Sequence, residues 1–246
     1  MNRTLTLQNV GIAIATKNHN PSVLTPDFLK YSGIVPDDWE LAQQPVVSKQ
    51  ASQVVFNNAL SIVAQPQLLN FLEVVINKEI TDIQAPGITH SYIKALPNVE
   101  YQAIGVNLKG YILESQLGSN QTVQDYMNSL LAPAAWQEVG NAPVLPTIQL
   151  AFTLDRCEFS LGITEGKLYV TEQETVPIVL FTGNFSYAVT GNSKEEKLQS
   201  LHKLIDNWQT DLKDYVEIIN TKFLQPEIFI QNAPERITTE ILVPQL

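Results

Sequence analysis

Apolar and polar positions along this chain alternate or run together in short stretches, and one such stretch recurs. Leu7-Gln-Asn-Val-Gly-Ile-Ala-Ile14 returns as Tyr101-Gln-Ala-Ile-Gly-Val-Asn-Leu108, with Gln and Gly in the same places. Ile178-Val-Leu-Phe-Thr-Gly-Asn-Phe185 is a looser third copy. Each reads as a mostly buried strand. A helix pattern follows the first two. Thr25-Pro26-Asp27 supplies an N-cap, a proline at the first helical position and a carboxylate near the positive end of the dipole, and Gly33 stops the segment. Thr122 to Ala132 matches it without gaps, and Trp39 and Trp136 then coincide.

Gln53–Phe56, Leu60–Ala64 and Leu68–Val75 read as a meander of strands, with Asn57-Asn58 and Pro66-Gln67 as turns. Gln149–Phe152 and Phe159–Leu161 repeat parts of it. Glu165-Gly166 predicts a tight turn between Phe159–Ile163 and Lys167–Val170. Pro86-Gly87 opens a short helix with Ile88, Tyr92 and Leu96 on one face, inside a stretch without counterpart in the second copy.

The strongest helical pattern lies near the C-terminus. Asn192-Ser193-Lys-Glu-Glu196 is a capping box. Leu198, Leu201, Ile205, Trp208, Leu212, Tyr215, Ile219 and Phe223 then recur at spacings of three and four. This predicts one helix of about 30 residues, about 45 Å long, lying across a sheet. Lys197, Asn207, Asp211, Asp214 and Lys222 are expected on its solvated face. Pro226 ends it, and the triplets Ile228–Ile230 and Ile241–Val243 predict an extended, docked tail.

The expected fold is therefore α+β: two tandem βαβββ-like repeats form antiparallel sheet, covered by helices that include a long C-terminal one. It is a single pseudo-symmetric domain over 1–246. Repeat 1 covers about 4–76, an insertion 77–98, repeat 2 about 99–175, a closing strand and long helix 176–224, and the tail 225–246.

The net charge is −10, with 15 Lys and Arg and no basic run, which argues against nucleic acid. No stretch of 18 apolar residues argues for a membrane span, and the N-terminus lacks a signal-peptide core. A single cysteine, Cys157, fits a reducing cytoplasm.

Chemistry is sparse. His19, His90 and His202 lie in different segments and none has a second histidine at i+2 to i+4, so neither metal nor cofactor is expected. No phosphate-loop, zincin or nucleophile-elbow motif is present. Five residues stand out as candidates. Glu73 interrupts an apolar strand and is costly there if unpaired. Asp37-Asp38 offers paired carboxylates on a turn. Trp39 and Trp136 recur after prolines and are expected to be core anchors.

The order strand, helix, three strands, given twice, resembles the paired modules of the vicinal oxygen chelate (glyoxalase-like) superfamily, and Gln8–Ile14 is similar to that family's opening strand. That resemblance implies a metal-binding histidine where Asn9 and Ala103 stand, and Glu73 has no acidic partner at Tyr169. The likeness is therefore one of topology. Asn18–Pro21 and Pro36–Leu41 resemble uncharacterised cyanobacterial proteins of similar length, which implies no activity. The leading expectation is a non-enzymatic cytoplasmic protein-binding or assembly factor with a protein partner. The alternative is a small-molecule binder or enzyme with a cleft between the repeats.

Overall fold

The computed structural model describes residues 3–118, 120–170 and 174–225. Its strands are β1 (Thr6–Lys17), β2 (Ser52–Val55), β3 (Leu60–Gln65), β4 (Leu68–Val74), β5 (Glu100–Leu113), β6 (Ile148–Thr153), β7 (Glu158–Tyr169) and β8 (Thr175–Ala188). They form one eight-stranded sheet in the order β2-β3-β4-β1-β5-β8-β7-β6, and every neighbouring pair is antiparallel. The helices are α1 (Pro26–Tyr31), α2 (Ala85–Ala95), α3 (Val123–Ser129), α4 (Lys194–Asp206) and α5 (Trp208–Ile218). The protein is thus α+β, and no described helix is long and apolar enough to cross a membrane.

Period-two alternation decides which face of the sheet is covered. Val10, Ile12 and Ile14 of β1 pair with Leu108, Val106 and Ile104 of β5, and all six are buried. Phe71 on β4 and Phe159, Phe181 and Phe185 on β7 and β8 continue this core outward. Burying each such side chain contributes about 1.5–3 kcal/mol. On the opposite face β1 and β5 carry smaller and more polar residues. Asn9, Ala13 and Ala15 stand there beside Ala103, Asn107 and Asn184, all partly exposed. The continuous apolar run in β1 therefore has large residues on one side only.

Local capping sets the helix starts. The Thr25 hydroxyl accepts from the Phe28 N–H at 3.1 Å, and Thr122 accepts likewise from Asp125 at 3.1 Å. Ser193 accepts from the Glu196 N–H, while the Glu196 carboxylate accepts from Asn192, one residue earlier than a capping box requires. α2 follows β4 in the chain, as α4 follows β8.

Three expectations are corrected. The long C-terminal helix is two helices separated at Asn207, where ψ is −3° instead of a helical value. The apolar stripe keeps its phase through the break, because Leu201, Ile205, Trp208, Leu212, Tyr215 and Ile219 are all buried. Glu165-Gly166 makes no turn. β7 runs straight through it, with Glu165 opposite Val179 and Gly166 opposite Ile178, because the 14-residue β8 supplies a partner all along. Trp136 is no core anchor, since it stands 36% exposed in a short turn over Ala135–Glu138. The tail triplets, and Pro226 as a helix stop, lie outside the described residues.

Candidate functional site

Glu73 ties the segment after β4 to the start of α2. It projects from β4 onto the helix-covered face and is fully buried. One carboxylate oxygen accepts from Lys78 Nζ at 2.8 Å, and the other accepts from the backbone N–H groups of Gln84 and Ala85 at 2.7 Å each. A buried carboxylate is tolerable only when so satisfied. Here it neutralises the orphan donors at the start of α2, where negative charge is favoured. Lys78 also donates to the Asn58 carbonyl at 2.8 Å. The 75–83 segment is thereby pinned as a short wall.

Across from that wall runs α5. Between them lies a groove of about 730 Å³ lined by Leu7, Val75, Ile80, Ile83, Leu212 and Val216. Asn77, Lys78, Gln209, Lys213 and Glu217 form its polar edge. Ile80 is 51% exposed at its lip, and Val74 and Ile76 are exposed nearby in the chain. The groove thus joins residues of the first strand, of the segment after β4 and of α5. No run of sequence announces it.

The other candidates do not converge on this groove. Asp37 and Asp38 are exposed after α1, where the Asp37 carbonyl accepts from Lys30 Nζ at 2.6 Å. They form a solvated turn. Trp39 is half-buried, edge-on to Phe56 with ring centroids 5.1 Å apart. Among the described residues no three His, Cys, Asp or Glu side chains are placed to hold a metal ion. Asn9 pairs with Val74 on the open face, whereas Glu73 pairs with Val10 on the covered one.

Asp211, expected on a solvated face, is fully buried. Its Oδ1 accepts from the Tyr187 hydroxyl at 2.6 Å and from Arg156 Nη2 at 2.8 Å, while Oδ2 is buried without a partner. Arg156 Nη1 reaches Asp214 at 2.7 Å, and the guanidinium lies over the Phe185 ring. Burial pushes the Asp211 carboxyl up, against the pull of Tyr187 and Arg156. Burial also raises the Cys157 thiol, so this cysteine is not poised as a nucleophile. The cluster ties the β6–β7 connection to α5. A helix-wheel reading would have found it, since Asp211 stands three residues after Trp208 and four before Tyr215, within the apolar stripe.

Comparison with known proteins found no matching family model and no matching curated protein.

Proposed function

We propose that this is a non-enzymatic binding protein of the cytoplasm, which holds an apolar segment of a protein partner in the groove between α5 and residues 75–83. The observation that carries this reading is the half-exposed Ile80 facing an apolar helical wall of Leu212 and Val216. Exposed apolar surface with a polar rim is what partner binding uses. The acidic charge of −10 and the absence of a basic run speak against nucleic acid as that partner. The single cysteine agrees with a reducing compartment.

A second reading, a small-molecule binder, is favoured by one fact. The volume of about 730 Å³ falls in the range of ligand pockets, and the lining comes from both halves of the chain.

We also read the two halves as copies of one unit. Support comes from Thr25 and Thr122 capping corresponding helices and from the sheet order reading outward as 1-4-3-2 and 5-8-7-6. On this reading the topology is glyoxalase-like without that family's metal ligands.

The test is Ile80→Asp and Val216→Asp, each checked for an unchanged circular dichroism spectrum. Co-purification from the native cell should lose the same partner in both variants. A partner retained by both sinks the groove as its site. A small apolar molecule extracted from the parent protein and absent from both variants favours the second reading.

A further inference from the structure

His90 on α2 and His202 on α4, far apart in sequence, meet with their Nδ1 atoms 2.5 Å apart. Their rings are parallel to within 5°, with centroids 4.7 Å apart. Those distances exclude face-to-face stacking. Parallel planes are never farther apart than two atoms lying in them, so the separation here is at most 2.5 Å, less than the contact distance of about 3.5 Å between stacked carbons. The rings therefore lie edge to edge, close to one plane, with the Nδ1 atoms facing.

Asp206 fixes the tautomer of one of them. Its Oδ1 lies 2.8 Å from His90 Nε2, and a carboxylate only accepts, so Nε2 carries the proton. In its neutral form His90 then presents the bare lone pair of Nδ1 to His202. Two facing imidazole nitrogens need something electrophilic between them: a proton, or a metal ion. A carboxylate bonded to the back of a histidine is the arrangement that orients metal-ligating imidazoles and makes them more basic.

We propose that His90 and His202 form a two-imidazole site for a divalent transition-metal ion of the zinc, nickel or copper class, with Asp206 as the positioning residue. Imidazole nitrogen suits these ions, whereas magnesium and calcium prefer oxygen. Zinc–nitrogen bonds of about 2.0–2.1 Å at a tetrahedral angle put the two nitrogens about 3.3 Å apart. The pair must therefore open by about 0.8 Å from the 2.5 Å seen, and the rings must turn so that their lone pairs converge; both histidines are partly exposed, which leaves room for that rotation. Water completes the shell, since the protein supplies two ligands. Lys94 is the nearby charge that opposes a cation, and Asp206 is the one that offsets it. The ion bridges α2 to α4.

The experiment uses tag-free full-length protein with Zn2+ and Cu2+ salts. One equivalent of zinc should bind saturably and raise the thermal midpoint by several degrees. Electron paramagnetic resonance of the copper form should show hyperfine splitting from two imidazole nitrogens. His90→Gln and His202→Gln should each remove the thermal shift and leave at most one nitrogen. Asp206→Asn should weaken zinc binding about 10- to 100-fold. Cys157→Ser and His19→Gln should leave all of this unchanged. Absence of saturable zinc binding in the parent overturns the proposal, and so does a two-nitrogen copper signal that survives either histidine substitution.

Discussion

The ring of Tyr215 lies directly against the bare Cα of Gly183. A Cβ built there would sit 2.7 Å from Cδ2 and 2.8 Å from Cε2 of that ring. The Tyr215 hydroxyl then donates to the Phe181 carbonyl at 2.9 Å, so one side chain from α5 both crosses β8 and bonds to it. The glycine is there for the closeness of that approach. Gly183→Ala should destabilise the protein by about 1–3 kcal/mol by overpacking. Denaturant unfolding checks this, and in a Tyr215→Ala background the same methyl should cost far less. Equal costs in both backgrounds would remove Tyr215 as the reason.

Glu73→Ala should cost about 3–5 kcal/mol, since it leaves two backbone donors at the start of α2 unpaired and takes the carboxylate from Lys78. Lys78→Met should cost less, because that ammonium is partly solvated and Glu73 keeps its backbone partners. Chemical denaturation of the two variants orders them, and the reverse order would contradict the role given to the helix start.

For the second buried carboxylate, Asp211→Ala should cost about 3–5 kcal/mol and Tyr187→Phe about 1.5–3 kcal/mol. Asp214→Ala, on the half-buried outer side of Arg156, should cost under about 1 kcal/mol. If Asp211→Ala is no worse than Asp214→Ala, the buried cluster contributes nothing beyond a surface ion pair.

His19 is buried with Nε2 3.2 Å from the Tyr92 hydroxyl and with Nδ1 unpartnered. Burial holds its imidazole below the ordinary value. The unfolded chain therefore binds the proton first as pH falls, so stability drops as pH goes down from about 6.5 through the lower, folded-state value. His19→Phe should show a shallower fall between about pH 7 and about pH 5 in thermal melts. Parallel curves for the two proteins would exclude the contribution.

What the sequence disclosed follows range. Caps at Thr25, Thr122 and Ser193 act within three residues, and each is found where its spacing placed it. Each of the eight strands overlaps a stretch that reads as extended in the sequence, although β7 reads as two strands and β5 runs five residues past Leu108. Glu73 was conspicuous because one charge inside an apolar run demands a partner, although the partners themselves, Lys78, Gln84 and Ala85, were not readable. Glu165-Gly166 misled because a turn signature yields to a long neighbouring strand that offers every ladder bond. Trp136 recurs in step with Trp39, but recurrence along the chain does not entail burial. The meeting of His90 with His202 and the groove beside Ile80 depend on how helices dock, so no local pattern announces them.

The break at Asn207 divides the C-terminal helical layer into two units that need not open together. Leu201 and Ile205 are the buried anchors of α4, whereas α5 has Trp208, Asp211, Leu212 and Tyr215, the last bonded to the sheet. Local opening follows such differences in anchorage. The amides of α4 should therefore exchange with deuterium well before those of α5, and the wall of the groove should stay protected while the neighbouring helix frays.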